Sequence, residues 1–148
     1  MRFFQEIIMN RVLLVAITCW FVAQALKVVF HLIIEQKLDF SRFFGLGGMP
    51  SSHSSVVCGL ATSVGLSSGF YSPEFAISFI LAAVVMTDAA GVRRAAGKQA
   101  AVLNQLIADM FDPDRGLTYE TLKELLGHSP FEVLIGALLG ILIGFLMM

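Results

Sequence analysis

Charge is what this sequence has least of. Asp, Glu, Lys and Arg make up 14 % of its 148 residues, where a water-soluble domain usually carries about 25 %. The balance is even as well. Ten basic and eleven acidic side chains leave a net charge of −1, so no basic field exists to draw a nucleic acid. Cysteine is scarce: Cys19 and Cys58 stand alone within apolar runs. That excludes a disulfide scaffold and the usual metal and redox spacings, and leaves two small buried side chains. No small-residue cleavage site closes the first apolar run, so no cleavable signal peptide is expected. The chain also lacks repeats, low-complexity tracts and any linker long enough to divide it. A single domain over residues 1–148 is expected.

What is abundant is apolar surface. Hydrophobic residues make up 57 % and the mean hydropathy is +0.81. The expected fold class is all-α, an integral membrane helical bundle with about four hydrophobic helices, in a bacterial plasma membrane. Residues 1–11 form an interfacial start with Arg2, Glu6 and Arg11. Val12 to Ile34 matches the ~20 residues a membrane helix needs. Gln24, Lys27 and His31 interrupt it at i, i+3 and i+7, so they share one helix face. A polar loop follows over 35–49. A second helix is expected from about Ser52 to Leu66, short and rich in Gly, Ala, Ser and Thr, as in close packing within a membrane. Ser72-Pro73 reads as a cap followed by proline at the first helical position. The third helix is apolar from Phe75 to Met86, then meets Asp88, Arg93, Arg94 and Lys98, and continues amphipathically to about Phe111. Asp112 to Gly116 is a loop, and Thr118 caps a short interfacial helix over Tyr119 to Leu126. The last helix runs from Pro130 to Met148 with Gly136, Gly140 and Gly144 at i+4 spacing, a small-residue packing stripe. Few helices and this stripe together predict a homo-oligomer, in the simplest case a homodimer.

Four spans put the start of helix 2, the end of helix 3 and the start of helix 4 on one membrane face. Gly47-Gly48-Met49-Pro50-Ser51-Ser52-His53-Ser54-Ser55 opens helix 2. Ser51 or Ser52 suits the N-cap, and the free N–H groups there suit a phosphate. His128 precedes helix 4, where Ser129-Pro130-Phe131-Glu132 fits a capping box. Glu132 has a second reading, as the carboxylate that orients His128. Lys27 and Asp88 are ionisable groups in apolar runs, which usually face a polar interior. Snorkelling of Lys27 and an ion pair of Asp88 with a nearby Arg are the plainer readings. Two histidines, several cations and two helix starts thus converge as a phosphoryl-transfer site requires.

Three stretches carry a family resemblance: Gly47 to Ser54, Asp88 to Ala100 (DAAGVRRAAGKQA) and Leu122 to Leu134 (LKELLGHSPFEVL). They resemble the divergent PAP2 family, related to type 2 phosphatidic acid phosphatases and vanadium-dependent haloperoxidases. Pro50-Ser51-Ser52-His53 matches the Pro-Ser-Gly-His element with Ser52 for glycine. His128 and Glu132 match the closing His-x3-Asp with glutamate for aspartate. Lys27 matches the leading lysine, though no Arg-Pro follows it, and Leu122 stands where an arginine would precede His128. The resemblance implies His128 as nucleophile, His53 as general acid and Glu132 as the residue orienting His128. It implies a phosphate grip from Lys27, Ser51, Ser52, Arg93 and Arg94, with Asp88, Lys98 and His31 in support. The implied activity is hydrolysis of a lipid phosphate or diphosphate through a phosphohistidine, an acid phosphatase reaction without metal or cofactor. A module that binds or transports a phosphorylated lipid headgroup without cutting it is the competing expectation.

Overall fold

The structure, a computed structural model, describes residues 2–36, 48–110 and 129–148. The helices are α1 (Arg2–Ile8), α2 (Arg11–Glu35), α3 (Ser52–Ser68), α4 (Pro73–Ala90), α5 (Val92–Met110) and α6 (Pro130–Met147). The described residues form an all-α bundle. Among the described residues, three stretches are long and apolar enough to cross a membrane: Arg11–Glu35, Pro73–Ala108 and Pro130–Met147. The shorter α3, 17 residues, is about 26 Å long against a ~30 Å hydrocarbon core.

α3 is the centre, with α2, α4 and α6 packed around it. Its composition explains the position. Small side chains let neighbouring backbones approach, and ten of its residues are buried, among them Ser54, Ser55, Gly59, Ala61 and Ser63. The hydroxyls find acceptors in place of water: Ser55 donates to the Cys19 carbonyl at 3.4 Å and Ser63 to the Leu60 carbonyl at 2.9 Å. Outside, the polarity is the reverse of a soluble protein. Ile77, Phe79, Ile80, Leu134, Leu142 and Phe145 are all exposed. Large apolar groups facing outward over a core of small ones mark an integral membrane protein.

The glycine stripe of α6 lies on α3. A Cβ at Gly136 would run into the Ser51 carbonyl oxygen, one at Gly140 into the Ser55 carbonyl oxygen, and one at Gly144 would sit 2.8 Å from the Thr62 side chain. The stripe expected to pack within or between chains therefore packs within this one. Register follows from these contacts. α3 and α6 run parallel, and α2 runs antiparallel to both, since Lys27 lies beside Ser52 and Cys19 beside Ser55. The start of α3, the start of α6 and the end of α2 accordingly share one end of the bundle.

Caps match the sequence reading at Ser51, Ser72 and Ser129. Two features differ from it. Asn10 caps α2 by accepting from the Leu13 N–H at 3.1 Å, which makes α1 a separate short helix. The expected helix through Asp88 is locally distorted at Gly91, where φ is −104° and ψ −77°, without losing its run. The turn holds because Gly91 N–H still reaches the Thr87 carbonyl at 2.9 Å and its own carbonyl accepts from Ala95 at 3.0 Å. The loop over 37–47 and the short helix over Tyr119 to Leu126 lie outside the described residues.

Candidate functional site

The site begins with the turn into α3. Ser51 takes extended backbone angles, and its hydroxyl accepts from the Ser54 N–H at 3.3 Å and from the Ser54 hydroxyl at 3.0 Å. Ser51 N–H donates to the Glu132 carbonyl at 3.2 Å. That bond ties the first turn of α3 to the first turn of α6. Gly136 makes it possible, since a side chain there would push the Ser51 carbonyl away. Two helix N-termini therefore lie side by side, and their unpaired N–H groups add to a local positive field.

α6 starts with a complete capping box. Ser129 Oγ accepts from Glu132 N–H at 3.3 Å, and Glu132 Oε2 accepts from Ser129 N–H at 2.8 Å. The plainer of the two readings of Glu132 is thus realised. The box spends one carboxylate oxygen and fixes the carboxyl at the mouth of the helix.

Lys27 comes to this corner from α2. It is 6 % exposed, and its ammonium donates to Ser52 Oγ at 3.2 Å. Holding such a group in an apolar helix costs ~2.5–3.5 kcal/mol on insertion scales. An ammonium has three donors, and Ser52 takes one. Among the described residues no carboxylate pairs with it directly, although Glu132 is close enough to act on its charge. Lys27 is therefore drawn inward and does not snorkel. Gln24, one turn deeper, is 5 % exposed with its Oε1 unpartnered. Its i, i+3 relation to Lys27 was the available signal for including it among the polar groups here.

His53 is the second residue of α3, half-buried, with Nδ1 closed off from solvent. The remaining expected residues divide. His31 Nδ1 lies 3.4 Å from Glu35 Oε1, an i, i+4 pair on its own helix. Asp88 is half-buried in the last turn of α4, and Lys98 is exposed on α5. None of these three bonds to Lys27 or Ser52 among the described residues. His128 and the side chains of Arg93 and Arg94 lie outside the described residues. Lys27, Ser51, Ser52, His53 and Glu132 are what the fold assembles: one buried cation, two hydroxyls, one imidazole and one carboxylate at two helix starts. Such a set can hold an anion and exchange a proton with it.

The chain is 44 % identical to the uncharacterized membrane protein YuiD of Bacillus subtilis (strain 168), over 93 % of this chain and 94 % of that one. No solved structure matches it significantly. The profile of the Divergent PAP2 family matches residues 8–143, a stretch holding every side chain of the corner just described. The chain belongs to the Divergent PAP2 family.

Proposed function

We propose that this protein is a membrane phosphatase that hydrolyses a lipid phosphate or diphosphate. The observation that supports it best is Lys27, buried and hydrogen-bonded to Ser52 at the start of α3. A buried cation with spare donors beside two helix N-termini suits a phosphoryl group and little else in a membrane. In this reading a ring nitrogen of His128 attacks phosphorus and forms a phosphohistidine. His53 protonates the departing lipid oxygen. Water then attacks phosphorus and frees His128 and inorganic phosphate. Lys27, Ser51 and Ser52 hold the phosphoryl oxygens with Arg93 and Arg94, and Glu132 steadies His128 from the capping box.

A second reading, a headgroup-binding or transport module, draws on two observations. Glu132 already spends one oxygen on the Ser129 N–H, and Leu122 replaces the arginine expected before His128. Self-association as a homodimer stays within the proposal because four hydrophobic helices enclose little interior. Its seam must then lie away from the glycine stripe, which α3 covers. Native mass spectrometry from mild detergent reads the stoichiometry.

Phosphate release by purified protein from a panel of lipid phosphates and diphosphates tests the enzyme reading. His128→Ala abolishes turnover, and His53→Ala slows it by about 10²–10⁴-fold, least for substrates with good leaving groups. Wild-type protein that binds a lipid phosphate and releases none across the panel decides for the binding module.

A further inference from the structure

The lower half of the bundle contains a cleft that the headgroup site does not use. It has a volume of about 320 Å³ and lies between α4 and α6, over the α3 residues Cys58, Ala61 and Thr62. Phe70, Phe75 and Phe79 form one wall and Ile141 and Phe145 the other. None of the described residues that line it is charged. The Cys58 thiol, its polar group nearest the headgroup end, lies 3.6 Å from Met86 Sδ. A water molecule needs two to four polar partners, and this lining does not supply them. The cleft exists because α4 and α6 scarcely touch, although both pack on α3. Ala82, Ala83 and Ala137 face it, and longer side chains there would close it.

Its occupant follows from where it opens. Phe79 and Phe145 line the cleft and are also 56 % and 58 % exposed. They belong to the outer apolar faces of two membrane-crossing stretches, so the mouth opens sideways into bilayer hydrocarbon. Depth follows from α3. Cys58 is about 9 Å along the helix from Ser52 and Thr62 about 15 Å, at 1.5 Å per residue. Along the bundle axis, that is the depth reached by the chains of a lipid whose phosphate sits at Lys27 and Ser52.

We propose that the α4–α6 cleft is a binding site for a hydrocarbon chain of the same lipid whose phosphate Lys27 and Ser52 hold. This rests on the headgroup reading above and extends it, because the protein then reads the chain as well as the phosphate. A chain in bulk lipid is already in an apolar medium, so little hydrophobic gain attends its entry. What the cleft adds is position: a seated chain fixes how the phosphate meets the helix starts.

Photolabelling of the full-length protein in phosphatidylcholine nanodiscs tests this. Two probes are phosphatidic acids carrying a diazirine, one beside the headgroup and one near the chain end. The third is a phosphatidylcholine with the chain-end diazirine. Mass spectrometry locates the labels. The chain-end phosphatidic acid is expected to label peptides containing Phe79 and Ile141. Lys27→Ala is expected to cut that labelling about tenfold, the usual scale for losing a charged hydrogen bond. Ala83→Phe, which fills the cleft from its half-buried rim, should remove chain-end labelling there while headgroup-probe labelling near Ser52 persists. Equal labelling of the cleft by both chain-end probes, or labelling indifferent to Lys27, makes it a groove for bulk lipid and overturns the proposal. Lys27-dependent headgroup labelling with chain-end labels outside the cleft overturns the chain site and spares the headgroup reading. Headgroup labelling that ignores Lys27 overturns both.

Discussion

α6 meets α3 and α4 in opposite ways. Toward α3 it presents glycine at 136, 140 and 144, and the two backbones close until a Cβ at Gly140 would meet the Ser55 carbonyl oxygen. Toward α4 it presents Ala137, Ile141 and Phe145, and a cleft of about 320 Å³ stands between the two helices. Both faces are apolar and both lie in the membrane. The difference is side-chain size. Without a hydrophobic drive between helices in lipid, dispersion and close approach decide which faces seal. Glycine at every fourth residue seals one face, while alanine between large aromatic groups leaves the other open. The sealed face holds the site's geometry, since it sets Ser51 against Glu132.

Breaking the sealed face should have the largest effect. At Gly140 even a methyl group would meet the Ser55 carbonyl and lie 2.8 Å from Gly59 N. Both are backbone atoms that cannot rotate away. Gly140→Leu is expected to cost 3 kcal/mol or more, beyond the usual ~1–3 kcal/mol for overpacking. Thermal unfolding in mild detergent should show a large fall in midpoint or no folded protein. A midpoint within a degree or two of wild type would mean that the seam is not as tight as the backbone distances require.

The sealed face was only half legible in the sequence. Spacing identified Gly136, Gly140 and Gly144 as a packing stripe, and the same residues left its partner undecided. That partner is fixed by the parallel register of α3 and α6, a contact between segments some 80 residues apart, which no local pattern encodes. Local chemistry was legible at three of the caps: Ser51, Ser72 and Ser129 cap their helices because hydroxyls satisfy N–H groups within three residues. That Lys27 and Ser52 share one end of the bundle was legible for a different reason. Span counting put both at one end, and a lysine within an apolar helix needs a polar partner. The partner of His31 was a local matter: Glu35, one turn on, lies on its own helix. The cleft was invisible, since it depends on two helices failing to meet.

A smaller effect is expected where the sealed face meets the site. Ser129→Ala removes one half of the capping box and leaves Glu132 N–H without its 3.3 Å acceptor. The cost should be ~1 kcal/mol, as for other N-caps. The freed first turn of α6 also carries the Glu132 carbonyl that receives Ser51 N–H. Hydrogen exchange should therefore speed up at Ser51 as well as at Glu132. Faster exchange at Glu132 alone would show that the two helix starts are held independently.

The smallest effect belongs to the open face. Ala83 borders the cleft and is half-buried. Leucine there adds three carbons that extend into the cleft. The added group leaves one apolar medium for another, so transfer contributes little, and new contacts with Ile141 or Phe145 contribute a few tenths of a kcal/mol at most. Ala83→Leu should change stability by less than ~0.5 kcal/mol in either direction, as for surface positions. Measured beside Gly140→Leu, it isolates the comparison, because the same side chain is added to both sides of one helix contact network. A loss near that of Gly140→Leu would mean that α4 and α6 close on each other in the membrane and that the cleft is not kept open.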